Sequence, residues 1–510
     1  MLFRRAVRIS HIRFILVFSL VLFTAWNSLN IGRLAHWFGE GAAFDLPALL
    51  AYLFAGLCLF VVVFTLFAHR YTIKPVAIVI TVASAAASYF IAKYGVAIDS
   101  SMIRNAVHTD ATEVRQLLSW QMLPYAILGI ALPVASICAV DITFESSARY
   151  LWSSLKLFVI ALCLALASLA AEYRAIFLAG NVSNKYIVYS LVPINVISGS
   201  INASARALKR SFGSKHEDLH VVARVTAPGD LVVVLAVGES SRRKNFSLYG
   251  YTRRDTNPEL KQMSGLHLLD AVATRASTLY ALPKILQKNG VNLTTLVSKA
   301  GIPTNCYVNY TLYENCAGVG ETKVHDCGHG GKCYDEDVIP LLKQDLASYS
   351  SGYRFVVLHF GGGSHGPVYA DRHPPEFQRF QPGCTDADVA NKCSLEQVYN
   401  SYDNTILYVD HVVAESIRTL DASRVPYVFI YLSDHGESLL ENGVMFHGMP
   451  PGMALPTEQA EIPLIVKASV PVSIDRREQY RQSDVFDSVQ ALLSIDSRGF
   501  DKSGEFIRRP

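Results

Sequence analysis

Five apolar stretches, at about residues 12–29, 47–68, 74–94, 121–141 and 153–173, constrain this chain more than anything else in it. Each is long enough to cross a hydrocarbon layer of ~30 Å, which takes ~20 helical residues at ~1.5 Å apiece. A cleavable leader explains one such stretch at most, and no small-residue cleavage site follows the first. Inside a bilayer the backbone must satisfy its polar groups within the segment, so all five are expected to be helices. Arg4, Arg5, Arg8 and Arg13 precede the first span, and Arg70 and Lys74 occupy the second short loop, which favours a cytoplasmic N-terminus. Arg33, Lys93, Arg104 and Arg115 fall on the opposite side and weaken that bias. An odd number of spans then delivers the rest of the chain outside.

Composition changes at the same place. After about residue 205 charged residues, Gly and Pro become common. The expected division is a membrane domain over 1–175, a connector with interfacial helix over 176–228, and an outer domain over 229–510. A net charge of +3, with basic residues scattered among nearly as many acids, argues against a nucleic-acid partner. Of nine cysteines, Cys58, Cys138 and Cys163 lie in apolar runs. The other six suggest three local disulfides, Cys306 with Cys316, Cys327 with Cys333 and Cys384 with Cys393, which requires an oxidising compartment. The alternatives are free thiols or a metal cluster, but the C-x2-C pairs of zinc ribbons are absent.

In the outer domain, β-branched runs at 231–237, 291–297, 354–360, 427–434 and 463–469 are expected strands, and 335–349, 394–420 and 484–494 expected helices. Strands alternating with helices imply a mostly parallel sheet covered on both faces, with active sites beyond the carboxyl ends of the strands. Glu239 follows the first run; Asp434 and His435 follow the fourth. An acid after a strand is usually a helix cap. Two acids and an imidazole at neighbouring strand ends, however, make a ligand set for a catalytic zinc with one position open. Two more histidines lie beside glycines in loops, His365 in GGGSHGP and His447 in MFHGMP, whereas His325, His329 and His373 read as ordinary polar residues. Between the third and fourth spans Asn105, Thr109 and Glu113 recur every four residues, on one face of a helix. Spacing alone makes that face a solvated one.

Taken together, LAVGESSRRKNFSLYGYTRRDTNP, RASTLYALP, VVLHFGGGSHGP, YDNTILYVD and YLSDHGESLLENGVMFHGMP resemble the lipid A phosphoethanolamine transferases, which include the mobile colistin-resistance enzymes of polymyxin resistance. That family belongs to the alkaline phosphatase and sulfatase-like superfamily, and the resemblance runs along essentially the whole chain. It implies an N-terminal α-helical transmembrane bundle of about five spans in a bacterial inner membrane. A C-terminal α/β sulfatase-like domain would face the periplasm. It further implies one catalytic Zn2+, a second being possible, held by Glu239, Thr278, Asp434 and His435. Thr278, five residues before Pro283, matches the family's nucleophile. His365 and His447 match loop histidines implicated in catalysis, substrate binding or a second metal, and Asn105, Thr109 and Glu113 match a substrate-binding pattern.

The implied reaction moves phosphoethanolamine from phosphatidylethanolamine to lipid A or another envelope glycan through a threonine-linked intermediate, in a monomer. Ser277 is the adjacent alternative nucleophile. A membrane-tethered phosphodiesterase or sulfatase-like hydrolase is the competing reading, although no formyl-glycine consensus is visible. Two departures stand out. The disulfide that flanks the nucleophile in the family falls on Thr274 and Lys284, and no serine and lysine substrate contacts can be placed between Pro283 and Cys306.

Overall fold

A computed structural model describes residues 7–39, 44–108, 120, 122–183, 186–213, 222–308, 316, 321–324, 333–386, 389–450, 453–497 and 502–509. The chain forms two compact units, residues 1–213 with 450–454, and residues 214–449 with 455–510.

Among the described residues the first unit contains five helices long and apolar enough to span a membrane: α1 (His11–Ser28), α2 (Leu46–Phe67), α3 (Ile73–Tyr94), α4 (Met122–Ala139) and α5 (Ser147–Ala171). Each coincides with an apolar stretch of the sequence. Their ends carry ordinary stop and start chemistry. Ser10 accepts from the Arg13 amide, Asp45 accepts from Ala48 N at 2.9 Å, and Gly95 closes α3 in the left-handed region at φ 68°. Parallel pairing of Arg8–Ser10 with Asp141–Thr143 joins the start of α1 to the end of α4. Where an unpaired polar group costs several kcal/mol, the buried amide of Asn27 is fully used, donating to Val192 O at 2.5 Å and accepting from Val192 N at 3.1 Å. Asn105 lies on a short helix, Ser100–His108; Thr109 and Glu113 lie outside the described residues. The stretch expected to connect the domains contains the helices Tyr173–Val182 and Ile194–Gly213.

The second unit is built on eight strands: β1 (Leu231–Gly238), β2 (Leu266–Val272), β3 (Thr304–Val308), β4 (Glu321–Val324), β5 (Tyr353–Phe360), β6 (Tyr427–Ser433), β7 (Glu461–Ala468) and β8 (Tyr480–Arg481). Their order is β8-β2-β7-β6-β1-β5-β3-β4. Pairing is parallel except where β7 runs against β6 and β2. All eight residues of β1 are buried, as a central parallel strand covered on both faces requires. One face of the sheet packs Leu231, Val233, Leu235 and Val237 against α6 (Thr278–Leu286), α7 (Leu293–Lys299) and, later in the chain, the helix at Asp484–Leu492. Helices α8 (Ile339–Ala347) and α9 (Leu395–Ser423) pack on each other, and α9 also packs on β6. A capping box at Ser394 and Gln397 starts α9.

Three features differ from the sequence expectation. The run at 291–297 is not a strand of the sheet: only Val291 and Asn292 are extended, and α7 begins at Leu293. Asn292 takes the N-cap, accepting from Thr294 N at 3.0 Å, and Leu293, Leu296 and Val297 bury at helical spacing. The run at 463–469 is a strand as expected, but antiparallel. Strands β2, β3 and β4 were not expected; β2 lies towards an edge with several exposed side chains and gives no clean alternation. Disulfides join Cys306 to Cys316 and Cys384 to Cys393. Cys333 is also disulfide-bonded, and Cys327 lies outside the described residues.

Candidate metal centre and active site

Strand register assembles the site. Gly238, the last residue of β1, is paired with Phe360 on one side and Ser433 on the other, so the residues that follow all three strands emerge at one edge. Two backbone bonds bind the emerging chains, Asp434 N to Gly238 O and Ser364 N to Glu239 O, both at 2.9 Å. Glycine is needed where the chains touch: a Cβ on Gly363, itself at φ +38°, would lie 2.3 Å from Glu239 O, and one on Gly436 would lie 2.1 Å from Glu458 O.

Glu239, Asp434 and His435 are all buried here. Asp434 Oδ1 accepts from the amides of Ser240 at 3.1 Å and His435 at 2.8 Å, which fixes the carboxylate. Its other oxygen, Oδ2, stands 3.3 Å from His435 Nε2, and that nitrogen stands 3.4 Å from Glu239 Oε1. His435 Nδ1 lies 2.9 Å from Gly436 O and donates to it, which leaves Nε2 as the ring atom facing the two carboxylates. Neither Asp434 Oδ2 nor His435 Nε2 makes a hydrogen bond with any described residue. Thr278 is the first residue of α6, and its hydroxyl donates to Glu239 Oε2 at 2.6 Å. Ser240, left-handed at φ 56°, donates its hydroxyl to Glu239 Oε1 at 2.7 Å.

The histidine pair closes the other side. Ring centroids of His447 and His435 are 4.4 Å apart, and those of His447 and His365 are 4.9 Å apart. His365 Nδ1 is 3.8 Å from Glu239 Oε1. Glu437, wholly buried, accepts from His447 Nδ1 at 2.7 Å, from the Tyr369 hydroxyl at 3.1 Å and from Gly366 N at 3.3 Å, so one carboxylate holds both histidine loops. Asp335 holds the glycine loop through the amides of Gly362 and Gly363, and Tyr402 donates to Ser240 O at 2.7 Å while accepting from Arg242 N at 2.9 Å.

Electrostatics call for a cation. Burial pushes the Glu239 carboxyl up, but the charges of His435, His365 and His447, with the Thr278 hydrogen bond, outweigh it and bring it to about 2. Asp434 is pushed up to about 7 by burial and by the charge of Glu239. Two carboxylates buried at one strand edge are costly without positive charge between them. The donor set, oxygen and nitrogen without thiolate, suits a divalent zinc, and the orphaned Oδ2 and Nε2 are the atoms left for it. A second acidic group, Glu259, His411 and Glu415, is accounted for otherwise, because Arg418 bonds to both acids.

Structure thus brings together Glu239, Thr278, Asp434, His435, His365 and His447. His373 is buried with Nδ1 2.9 Å from Pro374 O, and Asn105 belongs to the first unit. Sequence reasoning passed over Ser240, Asp335, Tyr402 and Glu437. Of these only Glu437 carried a signal, as a further acid two residues beyond a strand-end Asp-His pair.

Comparison with known proteins agrees with this architecture. Residues 56–208 match the family model described as phosphoethanolamine transferase EptA/EptB, and residues 232–495 match the sulfatase model. Phosphoethanolamine transferase EptA of Helicobacter pylori is 31% identical over 449 residues, covering 82% of this chain and 81% of the relative. Its namesake in Salmonella typhimurium is 30% identical, covering 88% and 87%. Phosphatidylethanolamine transferase Mcr-1 of Escherichia coli is 28% identical, covering 78% of each. The solved integral membrane lipooligosaccharide phosphoethanolamine transferase A of Neisseria meningitidis superposes with a TM-score of 0.85 at 26% identity, over 99% of this chain and all of that one. On these grounds the chain belongs to the EptA-type phosphoethanolamine transferases, integral membrane enzymes whose soluble unit has the sulfatase fold.

Proposed function

We propose that this enzyme transfers phosphoethanolamine from phosphatidylethanolamine to lipid A, or to a related envelope glycan, through a covalent intermediate on Thr278. The observation that carries this reading is the 2.6 Å bond from the Thr278 hydroxyl to Glu239, beside the orphaned Asp434 and His435 atoms. Glu239, Asp434, His435 and the Thr278 oxygen would hold a catalytic zinc. Such an ion supplies positive charge that lowers the pKa of the hydroxyl and offsets charge on the phosphate.

In the first step Thr278 Oγ1 forms a bond to phosphorus, giving its proton up along the hydrogen bond to Glu239. The phosphorus–oxygen bond to diacylglycerol breaks, and the departing oxygen takes a proton. His447, held by Glu437, and His365 are the nearby imidazoles suited to supply it. In the second step an acceptor oxygen forms a bond to the same phosphorus, the bond from phosphorus to Thr278 Oγ1 breaks, and the released Thr278 oxygen takes back a proton. The amino end of α6, where Thr278 sits, adds partial positive charge next to the phosphate. Asn105, Thr109 and Glu113 are taken to contact the donor headgroup.

Two relatives, from Escherichia coli and Salmonella typhimurium, carry the name Kdo(2)-lipid A phosphoethanolamine 7''-transferase, which supports an envelope lipid as acceptor. Five spans, the basic N-terminus and the disulfides support an inner-membrane location with residues 229–510 in the periplasm, after a membrane domain over 1–175 and a connector over 176–228. Incubating the full chain with labelled phosphatidylethanolamine and purified lipid A tests the reading: label should appear on lipid A in the wild type and not in Thr278→Ala. Free phosphoethanolamine as the sole product would instead make the enzyme a hydrolase.

A further inference from the structure

Gln482 follows β8 at a place the catalytic scheme does not use, and it is completely buried. Its backbone amide donates to Val272 O, at the end of β2, at 3.1 Å. Its side chain reaches further. Oε1 accepts from Thr274 N at 2.7 Å, and Nε2 donates to Ala281 O at 2.9 Å. Thr274 lies in the turn that leaves β2; Ala281 lies in the first turns of α6; Thr278 stands between them.

We propose that Gln482 is a positioning residue for Thr278. One planar amide grips the backbone on both sides of the nucleophile and sets where α6 begins, and with it the direction of the Thr278 hydroxyl. The inference rests on reading Thr278 as the nucleophile. Its physical basis is the steepness of reaction with geometry, since a misplacement of ~1 Å can cost ~100-fold in rate. Ala273 N bonds to Ala460 O at 2.8 Å, which ties the start of the turn to the residue before β7, and the Gln482 amide alone spans from the turn into the helix among the hydrogen bonds given above. The bond to Ala281 O is buried, so that carbonyl, left without it, loses a hydrogen bond that water cannot replace; the bond from Thr274 N is partly buried. Gln482 touches none of Glu239, Asp434 or His435 in these bonds, which makes its contribution separable from metal binding.

The test compares the full-length wild type with Gln482→Met, which keeps the volume and removes both bonds, and Gln482→Glu, which keeps the acceptor for Thr274 and loses the donor to Ala281. Zinc-loaded enzyme in detergent is mixed with excess phosphatidylethanolamine, and growth of the covalent adduct is followed by intact-protein mass spectrometry. A positioning role slows the rate constant of adduct formation ~100-fold in Gln482→Met and less in Gln482→Glu, at full final amplitude, with KM for the donor and zinc content unchanged. A merely structural role lowers the amplitude, as protein is lost to misfolding, and leaves the rate constant of the remainder intact. Either that result or an unchanged rate overturns the proposal. Product formation by the wild type without any adduct, or adduct formation in Thr278→Ala, would overturn the nucleophile assignment itself and the brace with it.

Discussion

Thr278 and Glu239 come from elements 39 positions apart in the chain, yet the hydroxyl of one lies 2.6 Å from the carboxylate of the other. In the proposed reaction the bond gives the hydroxyl proton a destination and leaves the oxygen beside the proposed metal ligands. Thr278→Ala removes the proposed attacking atom and should reduce transfer at least ~1000-fold, whereas Thr278→Ser keeps a hydroxyl and should retain measurable activity. Mass spectrometry of the denatured protein after exposure to donor should detect an adduct of phosphoethanolamine mass in the wild type and none in the alanine variant.

Metal removal should expose what the buried acids cost. Without a cation Glu239 and Asp434 face each other at the end of β1 and β6, and only one of them ionises readily. Chelation should abolish transfer, and zinc should restore it. A ligand present at ~100 times its Kd stabilises by ~2.7 kcal/mol. For a unit of this size that corresponds to a fall in Tm of roughly 5–10 °C on stripping, readable by differential scanning fluorimetry. Asp434→Asn should bind zinc poorly and show little further loss on chelation.

Part of this site is legible from sequence because parallel strands deliver their carboxyl ends to one edge, so an acid after one apolar run and an Asp-His pair after another already imply proximity. Local cysteine spacing carries its own pairing in the same way. Thr278 is different: nothing in RASTLYALP marks it without a family pattern, because its meaning comes from the start of α6 lying against Glu239. Glu437 and Tyr402 escape notice because buried polar residues that hold a loop look like any other Glu or Tyr until the loop is folded around them. The run at 291–297 misleads for a local reason, a cap-forming Asn in the middle of β-branched residues.

Glu437 should matter without touching the reacting atoms. It sits between Gly366 and His447, and its carboxylate sets the orientation of the imidazole while leaving Nε2 unclaimed by that bond. Partners of this kind typically change activity ~10–100-fold when removed. Glu437→Gln should lower kcat by about that factor, with the zinc content unchanged, and should do so more than Tyr369→Phe, which removes one of the three donors to Glu437. Steady-state kinetics paired with metal analysis of the same preparations decides it.

Asp410 offers a pH dependence that involves none of the proposed metal ligands. It lies on α9, buried, and accepts from Glu259 N at 2.8 Å and Leu260 N at 3.2 Å. Burial pushes its carboxyl up to about 7, against the lowering effect of the two amides, and the charge of Glu259 adds to the rise. In the unfolded chain an aspartic acid titrates near ~3.9. Between those values the folded state holds a proton that the unfolded state has released, so the Asp410 contribution to stability is greatest below pH ~4 and declines as pH climbs towards 7. Above that the native carboxylate ionises too and the decline levels off. Asp410→Asn cannot ionise, so the variant should lose this part of the slope: its Tm should fall less than that of the wild type between pH 4.5 and 7, measured on full-length protein in detergent. Parallel curves for the two proteins across that window would show that Asp410 titrates alike in both states and would remove it as a source of pH-dependent stability.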